Sequence, residues 1–443
     1  MNTIIQWVVS RLNAKLFKKI TRSLRGWSST GAQIPAKVNE QIKYAVAASN
    51  SRQYDVAEKH LKHAREIDPA NPDVAPHLSR VKFLRNRSDN PDTEIEVSLL
   101  LETLEKMDKE LAIKPIYFPS KFWDKHRKFH VELLKLYGIN NFKRTVSHHY
   151  QNWLMLYRND PQVQELSALN DSLVPWFNTI EIPDHVGMHL PLDFKLSTYP
   201  LAFADQRDTY RISVGMLWEY VSKSTKILDD LSESEIGNPI RIWKGNKIIS
   251  SDLAHSVRER NLLLDNLSLN GNEGITVAEL GAGHGRIAEV FAKTTNYKYC
   301  IFDITPALYV SQWYIKKLFP EEKIFGFRHF ENFEDIQKEL ETCRFAFFTA
   351  NQIEKLPNEY VQLFINLNSL TEMSLDQIAN FLAQIDRVTS EAFLSRQWDK
   401  WENKIDGHSV SRSTFSMNNS WTLKINSPDE IHPKFFNQLW YKK

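Results

Sequence analysis

Apolar side chains return every four positions near the start of the chain, at Leu12, Leu16, Ile20 and Leu24. Ile5, Val9, Phe17 and Trp27 widen the same face. Residues 1–39 carry seven basic side chains and no acidic one, and six of the seven gather on the opposite side. The pattern predicts a basic amphipathic helix over residues 1–30. It does not read as a secretory signal, because the stretch Ile4–Val9 is short, broken by Gln6, not preceded by a basic residue and not followed by a small-residue cleavage site. Two settings suit such a helix: an anionic membrane surface, the favoured expectation, or a dock on the protein itself with the basic face in water. Residues 28–36 read as a linker. Over residues 36–90, Ala45, Ala48, Tyr54, Ala57, Leu61 and Ala64 take helical spacing up to Asp68-Pro69. This is a helical hairpin that resembles a single tetratricopeptide repeat. A lone repeat cannot bury its own face, so packing on neighbouring helices is expected ahead of partner binding. After a polar break at 86–94, residues 95–270 are mostly helical in rhythm, through 96–112, 121–137, 141–157 and 210–231.

The rhythm changes at residue 275. Short apolar runs at Thr276–Leu280, Tyr299–Ile304, Phe345–Thr349, Gln362–Leu367 and Ala392–Leu394 alternate with helical stretches at Ile287–Lys293, Ala307–Phe319 and Leu375–Val388. Alternation of this kind predicts an α/β fold: a Rossmann-like doubly wound sheet over 271–443, preceded by an α-helical N-terminal region.

Composition narrows the picture little. Of 443 residues 42% are hydrophobic and 25% charged, with a formal net charge of +2, which suits a globular protein and gives no sign of nucleic-acid binding. No apolar run is long enough for a spanning helix. Two cysteines, Cys300 and Cys343, form no disulfide framework, and no Cys/His spacing marks a metal site. Glycine matters more. There are 14, and five of them (Gly271, Gly274, Gly281, Gly283, Gly285) fall within fifteen residues.

That concentration holds the strongest motif, Val277-Ala-Glu-Leu-Gly-Ala-Gly-His-Gly-Arg-Ile-Ala288. A buried strand runs into Gly281, Ala282, Gly283 and Gly285, and a helix opens at Arg286. Glycines let the turn reverse sharply and let a ligand approach bare backbone. The spacing is G-x-G-x-G, not the dinucleotide G-x-G-x-x-G. Glu279, two positions before the first glycine, would repel a pyrophosphate but suits a ligand with an ammonium and a sulfonium group. Asp303 ends the next strand, followed by Ile304, and a carboxylate there accepts from both ribose hydroxyls. The set fits S-adenosylmethionine, with dinucleotide binding the weaker rival. Ligands of doubly wound sheets sit beyond the carboxyl ends of the strands. Asn351 and Gln352 are therefore candidates for adenine, and Asn366, Asn368, Ser369 and Glu372 for the methyl acceptor. Glu372 is the candidate general base, since a sugar hydroxyl is a poor nucleophile. His408 is a second candidate base and His329 a third. His284, inside the turn, is expected to pack near the cofactor.

At these residues the chain resembles a bacterial family of sugar O-methyltransferases within the S-adenosylmethionine-dependent class I methyltransferases. The likeness includes Pro119-Ser-Lys-Phe-Trp123, Gly138-Ile-Asn-Asn-Phe-Lys143, Tyr150-Gln-Asn-Trp153, Glu235-Ile-Gly-Asn-Pro239 with Ile248–Asp252, Glu279–Arg286, Tyr299–Pro306 and Asn366–Met373. It covers roughly residues 115–400 and departs at His284, where Tyr is common, and at Thr305, where Pro is expected. The resemblance implies methyl transfer to a sugar hydroxyl, in a surface polysaccharide or lipid-linked glycan. The basic helix lies outside the resemblance, and its pattern adds a separate expectation, a cytoplasmic enzyme held peripherally on the membrane's inner face. It makes 235–252 a candidate acceptor lid, with Asn238 and Arg241 as sugar contacts. No His/Asp cluster assigns a divalent metal. Two rival functions remain: a methyltransferase-fold scaffold without turnover, and methylation of a protein or small molecule.

Overall fold

The computed structural model describes residues 33–443, apart from 147–176, 182–213 and scattered positions, most of them between 52 and 90. The basic helix expected over 1–30 lies outside the described residues, as does most of the helix expected over 141–157. The chain divides into two compact units, residues 1–87 and 88–443.

In the first unit α1 (Gln33–Asn50) and α2 (Tyr54–Ile67) form the expected hairpin. Ala57, Leu61 and Ala64 recur on one face of α2 and are fully buried against Val38, Ala45 and Ala48 of α1. The alanines at 57 and 64, facing Ala45 and Ala48, let the helices approach closely, and Leu61 fills the space between them. The helix ends at Ile67, with Asp68 extended as its C-cap just before Pro69.

The second unit opens with α3 (Pro91–Leu111) and α4 (Lys121–Tyr137). Ser120 caps α4 by accepting from the Trp123 amide at 3.3 Å. Beyond a 3₁₀ turn at Ile139–Arg144, β1 (Phe177–Glu181), β2 (Arg241–Lys244) and β3 (Lys247–Ile249) form a small antiparallel sheet in a region the periodicity predicts as mostly helical. The long helix α5 (Ser251–Leu267) leads into the main sheet.

That sheet is built from β4 (Thr276–Leu280), β5 (Lys298–Asp303), β6 (Ile324–Phe325), β7 (Phe345–Thr349), β8 (Val361–Leu367) and β9 (Thr389–Trp398), then β12 (Trp421–Pro428) and β13 (Phe435–Lys442). A separate hairpin, β10 (Lys400–Asn403) and β11 (His408–Ser411), follows β9. The order across the eight strands is β12-β13-β9-β8-β4-β5-β7-β6. Strands β4 to β9 pair in parallel, and β13 is antiparallel to both neighbours. Helices α6 (Arg286–Thr294), α7 (Ala307–Leu318) and α8 (Leu375–Val388) connect the parallel strands. This is the doubly wound, Rossmann-like α/β architecture that the alternation predicts. Its central strands are buried on both faces, which is why they read as near-continuous apolar runs. On one face Phe302 and Phe348 stack at 5.2 Å, with Phe364 and Phe393 beside them. Chain order reverses at β4, with β5 on one side and β8 on the other, so the crevice above its carboxyl end is the topological switch point. No helix among the described residues is long and apolar enough to cross a membrane.

Candidate functional site

The turn after β4 takes the shape its glycines were expected to allow. Gly281, Gly283 and Gly285 have φ of +72°, +63° and +86°, the left-handed region that L side chains avoid. A Cβ on Gly283 would meet no atom within 4 Å among the described residues, whereas one on Gly281 would lie 2.3 Å from the Ser369 hydroxyl. Gly283 thus faces open space and Gly281 a wall. Asp303, 6% exposed, closes the turn from the next strand. Its Oδ2 accepts from the Gly283 amide at 2.9 Å and its Oδ1 from the Ile304 amide at 2.7 Å. Burial pushes its pKa up to about 7, against the pull of those amides. Glu279 is buried behind the turn, accepts from the Tyr299 hydroxyl at 2.8 Å, and is pushed up to about 8 by burial. Arg286, at the start of α6, reaches back to α5, donating to Ser256 Oγ at 2.8 Å and Glu259 Oε2 at 2.5 Å.

The residues at the end of β8 and just beyond it lie beside this turn and brace it. Asn366 is fully buried. Its amide donates to the Leu280 carbonyl at 2.9 Å and to Ser369 Oγ, and its Oδ1 accepts from Leu370 N at 3.2 Å and Gln397 Nε2 at 2.7 Å. Ser369 Oγ donates to the same Leu280 carbonyl at 3.2 Å. Asn366 thus spends its hydrogen-bonding capacity on the chain itself, and the part-buried Ser369 hydroxyl donates once and accepts once within it. Asn368 holds the tight bend, with φ +71° and its amide on the Arg396 carbonyl at 2.7 Å.

At the end of β7 the two adenine candidates divide. Gln352 caps the following turn, accepting from Thr349 N at 3.1 Å and donating to the Arg328 carbonyl at 2.9 Å, so it is committed to backbone. Asn351 donates to Glu110 on α3, while its Oδ1 is buried and makes no hydrogen bond among the described residues. His329 lies half-exposed between Glu110 and Glu331, which raise its pKa, Glu110 most.

Glu372 gains a partner that sequence reasoning missed. Its Oε2 accepts from the Trp123 indole at 2.9 Å, and its carbonyl accepts from Ser120 Oγ at 2.9 Å. Burial pushes the Glu372 carboxyl up to about 8, opposed by the indole N–H. His126 and His130 lie beyond the indole ring, with centroids at 5.7 and 6.2 Å. Trp123 sits in a motif already singled out, but an aromatic in the first turn of a helix signals core packing as readily as a site. His408 lies in β11 opposite Asn403, with Nε2 buried and no hydrogen-bond partner among the described residues.

The expected lid is anchored. Asn238, at φ +56°, donates to Asn141 Oδ1 at 2.7 Å, and Lys143 N bonds the Gly237 carbonyl at 3.0 Å. Arg241 begins β2. Lys143 forms a buried ion pair with Glu233 and donates to Tyr314 at 2.9 Å. His284 packs in this wall, 5.4 Å from the Phe142 ring and 5.7 Å from Tyr314, and burial keeps it well below its usual pKa. Among the described residues no group of three or more His, Cys, Asp or Glu side chains could hold a metal ion.

Neither a scan of protein-family models nor a search of curated proteins finds a match to this chain. Among solved structures it is similar to an S-adenosylmethionine-dependent methyltransferase from Aquifex aeolicus, at 14% identity and TM-score 0.27 over 42% of this chain and 89% of that one. It is similar to magnesium protoporphyrin IX methyltransferase from Synechocystis PCC 6803 with bound S-adenosylmethionine, at 9% identity and TM-score 0.29 over 52% and 97%. A third is the 1,6-didemethyltoxoflavin-N1-methyltransferase of Burkholderia thailandensis, at 12% identity and TM-score 0.28 over 44% and 80%. Likenesses at this level add nothing to the strand order already described.

Proposed function

We propose that the chain is an S-adenosylmethionine-dependent O-methyltransferase whose acceptor is a sugar hydroxyl of a surface or lipid-linked glycan. One observation carries the cofactor reading: a glycine turn at the switch point of a doubly wound sheet leaves open space at Gly283 and has the Asp303 carboxylate hinged on it. Glu279 and the turn amides suit the amino-acid end of the cofactor. Asp303 suits the ribose, and the unbonded Oδ1 of Asn351 suits the amino group of adenine. Bound there, the cofactor supplies an activated methyl group. The chain's own part is alignment, which contributes on the order of 7–11 kcal/mol, and proton removal. Glu372 takes the proton of the acceptor hydroxyl, and the Trp123 indole fixes its carboxylate. The sugar assignment is supported by the ordered motifs between residues 115 and 400.

The test is calorimetry with S-adenosylmethionine, followed by incubation of labelled cofactor with sugar nucleotides, lipid-linked sugars and protein extract. Binding with label in a sugar fraction is the expected result. No binding sinks the cofactor reading, binding without transfer to any fraction favours a scaffold, and label confined to protein moves the acceptor class. A base must be ionised to act, and Glu372 is pushed up to about 8, so turnover should climb as pH rises toward 8 and level off above it. Glu372→Gln should lose that limb with cofactor affinity unchanged. We further propose that residues 1–30 hold the enzyme on anionic membrane; a chain lacking them should stop sedimenting with vesicles rich in anionic lipid.

A further inference from the structure

Helix α4 is anchored at two places beside the crevice, and only one of them serves the chemistry proposed above. Ser120, Trp123 and Arg127 stand at i, i+3 and i+7, so they share one face of the helix. Ser120 and Trp123 hold Glu372, just beyond the end of β8. The Ser120 hydroxyl donates to the Glu372 carbonyl and the indole to its carboxyl, both at 2.9 Å. Further along the same face, Arg127 donates to Thr305 Oγ1 at 3.2 Å. Thr305 is 2% exposed and follows Asp303 and Ile304 at the end of β5. Its hydroxyl donates in turn to Asp108 of α3, which forms an ion pair with Arg127. Asp124 accepts from Arg127 at 3.2 Å, and the Phe118 ring lies 5.4 Å from the guanidinium carbon. The Arg127 side chain is only 13% exposed, so salt screens these contacts little.

The sheet order puts these two anchors on either side of the glycine turn. Strand β4, which runs into that turn, lies between β5 and β8. Neighbouring strands are about 4.8 Å apart, so β5 and β8 are separated by roughly 10 Å. Seven residues of α-helix rise about 10 Å. The stretch from Ser120 to Arg127 therefore has the length to reach from one strand end to the other. A staple between α3 and α4 would need only the Arg127–Asp108 pair. It accounts neither for Thr305, whose hydroxyl brings the Asp303 loop into the same network, nor for the grip of the same helix face on Glu372.

We propose that α4 is a strut that sets the cofactor and the base relative to each other, with Arg127 and Thr305 as positioning residues at one end and Trp123 at the other. Arg127 holds the loop that carries Asp303, and Trp123 holds Glu372. The strut rests on the methyltransferase reading, which gives Asp303 to the cofactor and Glu372 to the acceptor; it adds that the two halves of the site are coupled. A loop already held in place needs less ordering when the cofactor binds. Loosening either end of α4 should therefore weaken cofactor binding, including the end that touches no residue assigned to the cofactor.

The experiment is a double-mutant cycle on the full chain, read by calorimetry with S-adenosylmethionine. Trp123→Phe removes the indole N–H, and Thr305→Val removes the hydroxyl while keeping the shape of the side chain. Each alone should weaken binding about threefold. Effects at independent sites multiply, whereas those within one network do not. The double variant should therefore bind about as weakly as either single one, well short of the product of about ninefold. Thr305→Ser keeps the hydroxyl and should bind within about twofold of the wild type. A role for Thr305 in packing alone predicts the reverse order, with Val tolerated and Ser not. If Trp123→Phe does not fold, Ser120→Ala, which frees the Glu372 carbonyl, is read in its place. Unchanged affinity in Trp123→Phe, or single effects that multiply in the double variant, overturns the strut and leaves the methyltransferase reading standing. No binding by the wild-type chain sinks that reading and the strut with it.

Discussion

Two turns meet at the switch point and handle polar groups in opposite ways. The turn at 281–285 presents bare backbone, with Gly283 facing open space. Its neighbour at 366–372 is rich in polar side chains, yet Asn366 and Ser369 are bonded to Leu280, Leu370 and Gln397. One turn is open because it lacks side chains; the other uses its side chains to keep the first in place. Polarity at the ligand end of a strand therefore does not mark a ligand contact. A better guide is space, or hydrogen-bonding capacity left over after the bonds among the described residues are made, as at Asn351 Oδ1.

The sharpest way to break this contrast is to add one methyl group to each glycine. Gly281→Ala would place a Cβ 2.3 Å from Ser369 Oγ and 2.4 Å from its Cβ. Strain at positive φ adds to the collision, so a loss of about 2–5 kcal/mol in folding stability is expected. Gly283→Ala has the strain without the collision and should cost only about 1–2 kcal/mol, yet it should cut S-adenosylmethionine affinity far more than its stability loss explains. Denaturant melts with calorimetry on both variants decide it. Equal stability losses, or unchanged affinity in the Gly283 variant, would erase the distinction.

Asn366→Leu comes next in size. It strips partners from the Leu280 carbonyl, the Leu370 amide and Gln397, all buried, and should cost about 1–3 kcal/mol. If Asn366 is a brace, cofactor affinity in the folded variant should drop modestly and the acceptor KM should not move selectively. A selective rise in acceptor KM would return Asn366 to the acceptor site.

The same contrast explains how much was legible in the chain. Strands β4, β5, β7 and β8 are apolar on both faces, so their runs announce themselves. The glycine turn and Asp303 were legible because bare backbone and a carboxylate at that spacing have few other uses. The last sheet edge was not. Strand β12 is mostly exposed, through Thr422, Lys424 and Asn426, and β13 buries Asn437 and Gln438 among its apolar residues, so neither shows a clean alternation. Nor does sequence reveal whether Asn366 faces a ligand or a carbonyl 86 residues away, or that Trp123 reaches Glu372 across 249 positions. Those facts exist only once the strands are side by side.

The smallest effect expected is a titration. Burial pushes Glu279 up to about 8, so at neutral pH without ligand its carboxyl keeps its proton. The unfolded chain has lost that proton above about pH 4.3, so Glu279 makes stability fall as pH rises toward 8, with no further loss beyond. Asp303, pushed up to about 7, slopes the same way over a narrower window. Glu279→Gln should therefore flatten the melting-temperature profile and be the more stable form at pH 7. A cationic ligand inverts the preference, because its charge favours the carboxylate. S-adenosylmethionine should bind several-fold tighter at pH 7.5 than at pH 6 and release a fraction of a proton, read from binding heats in buffers of different ionisation enthalpy. The Gln variant should show neither effect. Were the wild type to bind equally at both pH values with no proton released, Glu279 would be a structural acid held by Tyr299, and the open turn alone would account for the cofactor's seat.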